Sequence, residues 1–98
     1  MPLTASQVRY LRALAHPRKP LLQLGMRGVT PALLRELGTA LDHHELVKVR
    51  LAGGDRTERQ QQLDALLADS GAELVQRIGH VASLYRRNPE APQLALPR

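Results

Sequence analysis

The chain has 98 residues, 43% of them hydrophobic, with two tyrosines as its only aromatic side chains, no cysteine and a formal net charge of +5. That length holds one modest aliphatic core. The missing cysteines exclude a disulfide scaffold and a thiolate metal site, and the missing aromatics exclude a base-stacking platform of the RRM or OB kind.

Thr4-Ala5-Ser6-Gln7 has the form of a capping box, and Val8, Leu11, Leu14 and Ala15 follow at helical spacing, so a first helix is expected from about residue 5 to 15. Arg9, Arg12 and His16 fall on a neighbouring face of that helix. His16-Pro17-Arg18-Lys19-Pro20 reads as a basic turn, and Leu21 to Leu24 as a short first strand. After Gly25-Met26-Arg27-Gly28, Thr30 is positioned to cap a second helix with Pro31 at its first position, and its apolar face ends near His43. In Leu46–Leu51, Val47, Val49 and Leu51 alternate with Lys48 and Arg50, the pattern of a half-buried strand with a basic outer face. The sequence leaves open whether Lys48 and Arg50 join a binding surface or face water.

Gly53-Gly54 breaks that strand. Asp55-Arg56-Thr57-Glu58 resembles a second capping box, ahead of a helix carrying Leu63, Leu66 and Leu67 and stopped by Gly71. Segments near 73–78 and 81–86 then read as a hairpin around Gly79-His80. Residues 88–98, with Pro89, Pro92 and Pro97, are expected to form an extended, partly mobile tail beyond a single domain of residues 1–87. The order αβαβαββ predicts an α/β two-layer sandwich, a small mixed sheet covered by helices.

The charge is unevenly spread. Residues 1–35 carry Arg9, Arg12, Arg18, Lys19, Arg27 and Arg35 and no acid, whereas the remainder has eight basic and nine acidic residues. Concentrated positive charge suits a polyanion. Gly25 and Gly28 sit within that segment, between a strand and a capped helix, where two glycines let backbone N–H groups approach a phosphate chain and the helix N-terminus adds partial positive charge. A bare G-x-x-G is common in turns; the strand, the cap and the charge around this one point to nucleic acid.

No catalytic or metal site is expected. His43-His44-Glu45 offers ligand types, but neighbouring residues at a helix end diverge and no second pair follows. Ser6, Ser70 and Ser83 lack a nucleophile-elbow context, Asp55 and Glu58 are accounted for by the cap, and no P-loop is present. The N-terminus has no signal-like apolar run, and no segment approaches the roughly 18 apolar residues of a membrane span, so a soluble cytoplasmic protein without membrane partner, cofactor or small-molecule substrate is expected. Charge alone also permits a DNA-binding protein or an adaptor for an acidic protein, although no helix-turn-helix or basic zipper pattern occurs.

Leu14-Ala15-His16-Pro17, Lys19-Pro20, Gly25-x-x-Gly28-Val29-Thr30, His44-Glu45-Leu46-Val47-Lys48-Val49 and Gly71-Ala72-Glu73-Leu74-Val75-Gln76-x-Ile78-Gly79 through Leu84-Tyr85-Arg86 together resemble the CRM domain, the chloroplast RNA splicing and ribosome maturation module, in the stand-alone form of the bacterial YhbY proteins. The resemblance spans about residues 4–87. It implies a fold similar to the C-terminal domain of translation initiation factor three and a non-enzymatic RNA-binding protein associated with ribosomal RNA in precursors of the large subunit. It places Gly25, Met26, Arg27 and Gly28 in the RNA-contacting loop. Charge and proximity add Arg9, Arg12, Arg18 and Lys19. Met26 and Arg77 depart from residues that are often basic and usually apolar, respectively, in similar chains.

Overall fold

The computed structural model describes residues 2–98. Its helices begin where side chains take up free N–H groups. Ahead of α1 (Ala5–Ala15), Thr4 Oγ1 accepts from Gln7 N and the Gln7 side chain accepts from Thr4 N, closing the expected box. Ahead of α2 (Pro31–His44), Thr30 accepts from Leu33 N. Asp55 likewise caps α3 (Arg56–Ser70) by accepting from Glu58 N, but the Glu58 carboxylate turns over Gly54 and the second box is only half formed. Gly71 closes α3 in the left-handed conformation, φ 71°.

Four strands make one mixed sheet in the order β1-β2-β4-β3. The edge strand β1 (Leu22–Gln23) runs parallel to β2 (Leu46–Arg50), while β4 (Val81–Tyr85) pairs antiparallel with β2 and with β3 (Glu73–Ile78). The ladder around β1 is two residues long, shorter than Leu21–Leu24, although Leu21 N and Leu24 N still donate to Lys48 O and Arg50 O. A bulge between Leu74 and Gln76 turns Val75 inward.

Strand alternation divides the apolar side chains between two faces. Val47, Val49, Ala82 and Leu84 meet Leu37 and Leu41 of α2 and Leu63 and Leu66 of α3, forming the larger core and the two-layer sandwich. Burying each such leucine contributes about 1.5–3 kcal/mol. On the other face, Leu46, Val75 and Tyr85 receive Leu11 and Ala15 of α1.

Beside α1 lies the C-terminal segment, with Leu94 and Leu96 packed on this second core. In contrast to the expected mobility, the segment is tied down: the carboxylate of Glu45, wholly buried, accepts from the backbone N–H groups of Asn88 (2.6 Å), Gln93 (2.7 Å) and Leu94 (2.7 Å). Glu45 adopts φ 61° at the end of α2, a conformation that glycine usually supplies. Among the described residues, no helix is long and apolar enough to cross a membrane.

Candidate nucleic-acid interface

The Gly25–Gly28 loop is a tight turn built by backbone alone. Gly28 N donates to Gly25 O at 2.9 Å, and Gly28 takes φ 69°, which a side chain would strain. Leu24 anchors the near end in the core, and Val29 packs at the far end. Between these anchors Met26 is fully exposed and Arg27 projects into solvent, with no hydrogen-bond acceptor for Arg27 among the described residues. The N-terminus of α2 follows directly and puts its partial positive charge at the base of the turn; Pro31 has no N–H and Leu33 N donates to Thr30, so Ala32 carries the free N–H of that first turn.

The loop does not stand alone. Met26 and Gly25 share a shallow hollow with Arg50 at the end of β2, Gly53 and the hairpin residue His80. Arg50 also borders a second cleft on the sheet face that carries α1, together with His16, Gln76, Ile78 and Ser83. Helix α1 covers only part of that face, leaving Ile78 exposed and Arg50 in solvent. Arg50 therefore joins the loop to the open sheet face.

The α1 arginines border the same face. Arg12 Nε lies 3.4 Å from Val75 O on β3, and Arg9 is exposed one turn earlier. Arg18 and Lys19 lie elsewhere. Arg18 donates to Leu46 O (3.3 Å), at the opposite end of β2 from Arg50, and the extended residues 20–25 place Lys19 on the order of 20 Å from Met26. Lys19 there borders a groove with His43, His44 and the tail residue Leu94.

The two residues whose role the sequence left open have different ones. Lys48 Nζ donates to Ala15 O and Arg18 O, both at 3.0 Å, and so caps the C-terminal end of α1. Arg50 has no such partner among the described residues and faces outward. Period-two alternation places both on one face, but only the path of α1 across the sheet separates the helix cap from the free guanidinium. His80, too, has no sequence signal beyond its place in a turn. His43 and His44 are exposed, with ring centroids 6.3 Å apart, while Glu45 beside them is buried and holds the tail.

A family profile described as the CRS1 / YhbY (CRM) domain matches residues 3–86. An RNA-binding protein of Haemophilus influenzae is 43% identical over 96 residues, covering 98% of this chain and 96% of that protein. A "Probable RNA-binding protein" of Pseudomonas aeruginosa is 43% identical over 90 residues, covering 92% of this chain and 86% of its own. The similarly named YqeI of Bacillus subtilis is 35% identical over 95 residues, covering 97% and 99%. The solution structure of a Staphylococcus aureus protein superposes with a TM-score of 0.81 at 32% identity, covering 98% of this chain and all of that one.

Proposed function

The chain belongs to the CRS1 / YhbY (CRM) domain family, and from that premise we propose that it binds RNA without catalysing a reaction, gripping the sugar-phosphate backbone at the Gly25–Gly28 turn. The observation that carries this reading is the exposed pair Met26 and Arg27, held between two glycines at a capped helix N-terminus with Arg50 alongside. The backbone of the turn, the dipole of α2 and the guanidinium groups of Arg27 and, beside the loop, Arg50 offer donors and positive charge to a phosphate chain passing there. Arg9 and Arg12 extend the surface along α1. Arg18 and Lys19 contribute from the far end of the strand, to an RNA long enough to reach them.

Tyr85 is buried, which leaves Tyr10 as the one exposed tyrosine, too few for a platform that stacks successive bases. Recognition then rests on the shape and charge of folded RNA more than on base identity. The target we propose is ribosomal RNA in precursors of the large subunit, met in the cytoplasm, with no membrane, cofactor or small-molecule substrate. Two measurements test this. Binding to a large-subunit RNA fragment, contacting about four to six phosphates, should weaken with a log–log salt slope of roughly −3 to −5. Sedimentation of lysate should place the protein with large-subunit precursors. A slope near zero, or equal affinity for duplex DNA and RNA, refutes the RNA reading; absence from the precursor fractions refutes the ribosomal one.

A further inference from the structure

On the other side of the β3–β4 turn from the loop, three guanidinium groups line one cleft. Arg56 opens α3, Arg59 lies one turn later, and Arg77 reaches across from β3, with Gly79 of the hairpin at the edge. No carboxylate among the described residues is within ion-pair distance of any of them, since the single such pair is Arg86–Asp42. Asp55 is committed to the N-cap, Glu58 lies over Gly54, and Asp64 accepts from Gln60.

The three side chains keep most of their donors unspent. Arg59 gives one N–H to Gly54 O and Arg77 gives one to Gln60 Oε1, while Arg56 has no acceptor among the described residues. Arg59 Nε is enclosed and has no partner. Because that atom is shut off from solvent, the donors open to a ligand are the terminal N–H groups, and three planar, permanently charged forks suit phosphate oxygens. The cleft is also continuous with the loop: Gly54, whose carbonyl Arg59 holds, follows Gly53 of the loop hollow, and Gly79 precedes His80 of that hollow. Leu51 N donating to His80 O ties the two turns together.

We propose that Arg56, Arg59 and Arg77 form a second phosphate-binding cleft, which receives the backbone of the same RNA after it crosses the Gly53–Gly54 and Gly79–His80 turns from the Gly25–Gly28 loop. This rests on the RNA-binding reading above. The RNA then wraps the end of the sheet, meeting the loop on one side and α3 on the other. Positive charge from the C-terminal two thirds of the chain is thereby used at a place that the net balance of that region hides.

The test measures affinity for a large-subunit RNA fragment against salt, with thermal melting, for wild type, R56E, R56Q/R59Q/R77Q and a control, R87Q/R98Q, whose two arginines are exposed and outside both clefts. R56E adds an acid to the first turn of α3, where the helix dipole favours it, so stability holds while phosphate is repelled. R56E should lower affinity about tenfold or more, and the triple variant should flatten the log–log slope by about two units at roughly 0.7 per phosphate. The control should stay within about twofold of wild type in affinity. A folded R56E that binds like wild type, or a control that loses as much as the triple variant, overturns the second cleft. Failure of the RNA reading itself shows differently: wild type does not bind.

Discussion

Replacing Glu45 should detach the C-terminal segment from the rest of the protein. Its carboxylate is fully buried, has no cationic partner within ion-pair distance among the described residues, and is satisfied by the amides of Asn88, Gln93 and Leu94. Hydrogen bonds to a charged acceptor contribute about 1.5–3 kcal/mol each, so three together exceed what the segment loses by lifting off. The cost of Glu45→Ala is therefore capped by undocking, chiefly the release of half-buried Leu94 and Leu96, and we expect about 3 kcal/mol. At about 4–8 °C per kcal/mol for a domain of this size, that lowers the melting temperature on the order of 15 °C. Glu45→Gln keeps one acceptor oxygen and should cost less. Glu45→Gly removes the same bonds as Ala but relieves the positive φ, returning roughly 1 kcal/mol. Denaturant melts give the order Ala, Gly, Gln from most to least damaging, and amide exchange at Asn88, Gln93 and Leu94 reports the undocking. A stable Glu45→Ala protein, within about 1 kcal/mol of wild type and with those three amides still protected, would refute the argument.

Other perturbations separate binding from folding. Met26→Asp with Arg27→Asp keeps both glycines, so stability should change by no more than about 0.5 kcal/mol, while RNA affinity in a filter-binding assay falls about 10- to 150-fold, the equivalent of one lost charge-assisted contact. Lys48→Met and Arg50→Gln should split: losing the Lys48 ammonium from the carbonyls of Ala15 and Arg18 costs about 1–2 kcal/mol in a thermal melt, whereas Arg50→Gln melts like wild type and binds RNA less tightly. Burial first, then the charge of Glu45, raises the Tyr85 phenol above its ordinary 10.0. Its proton is thus held more tightly in the folded state, and the associated stability is complete below pH 10.0 and lost as pH rises through the folded value. Melts from pH 9 to 12 should decline more steeply for wild type than for Tyr85→Phe.

The boundaries of the helices were legible because their signals are local. Thr4 with Gln7, Thr30 with Pro31, and Gly71 each act within a few residues: the first two begin α1 and α2 and the third closes α3 where expected. The alternation in Val47, Val49 and Leu51 likewise marks the face of β2 that meets α2 and α3, but not that Leu46 on the supposed outer face is buried under α1. What stayed hidden depends on contacts between distant segments. Glu45 looked like one of three polar residues at a helix end, since its donors lie at Asn88, Gln93 and Leu94, more than 40 residues away. The prolines of the tail exclude helix and strand there, but they signal neither the turn in which Asn88 Oδ1 accepts from Glu90 N and Ala91 N nor the docking. Charge counting grouped Arg18 and Lys19 with the glycine loop because they are close in sequence. Six residues of extended chain place them at the other end of the strand, and Arg50, which no acid-free run marked, lies beside the loop instead.

The bulge at Val75 has a consequence for crowding. An open sheet edge offers its backbone to any neighbouring chain, most of all where molecules are crowded together. Here β1 offers only two paired residues on one flank. On the other, β3 is six residues long, but its register breaks at the bulge, Val75 is drawn under α1, and Glu73 and Arg77 stand on either side. Neither flank gives a second copy an uninterrupted run to pair with, so the sheet edges resist edge-to-edge association between copies.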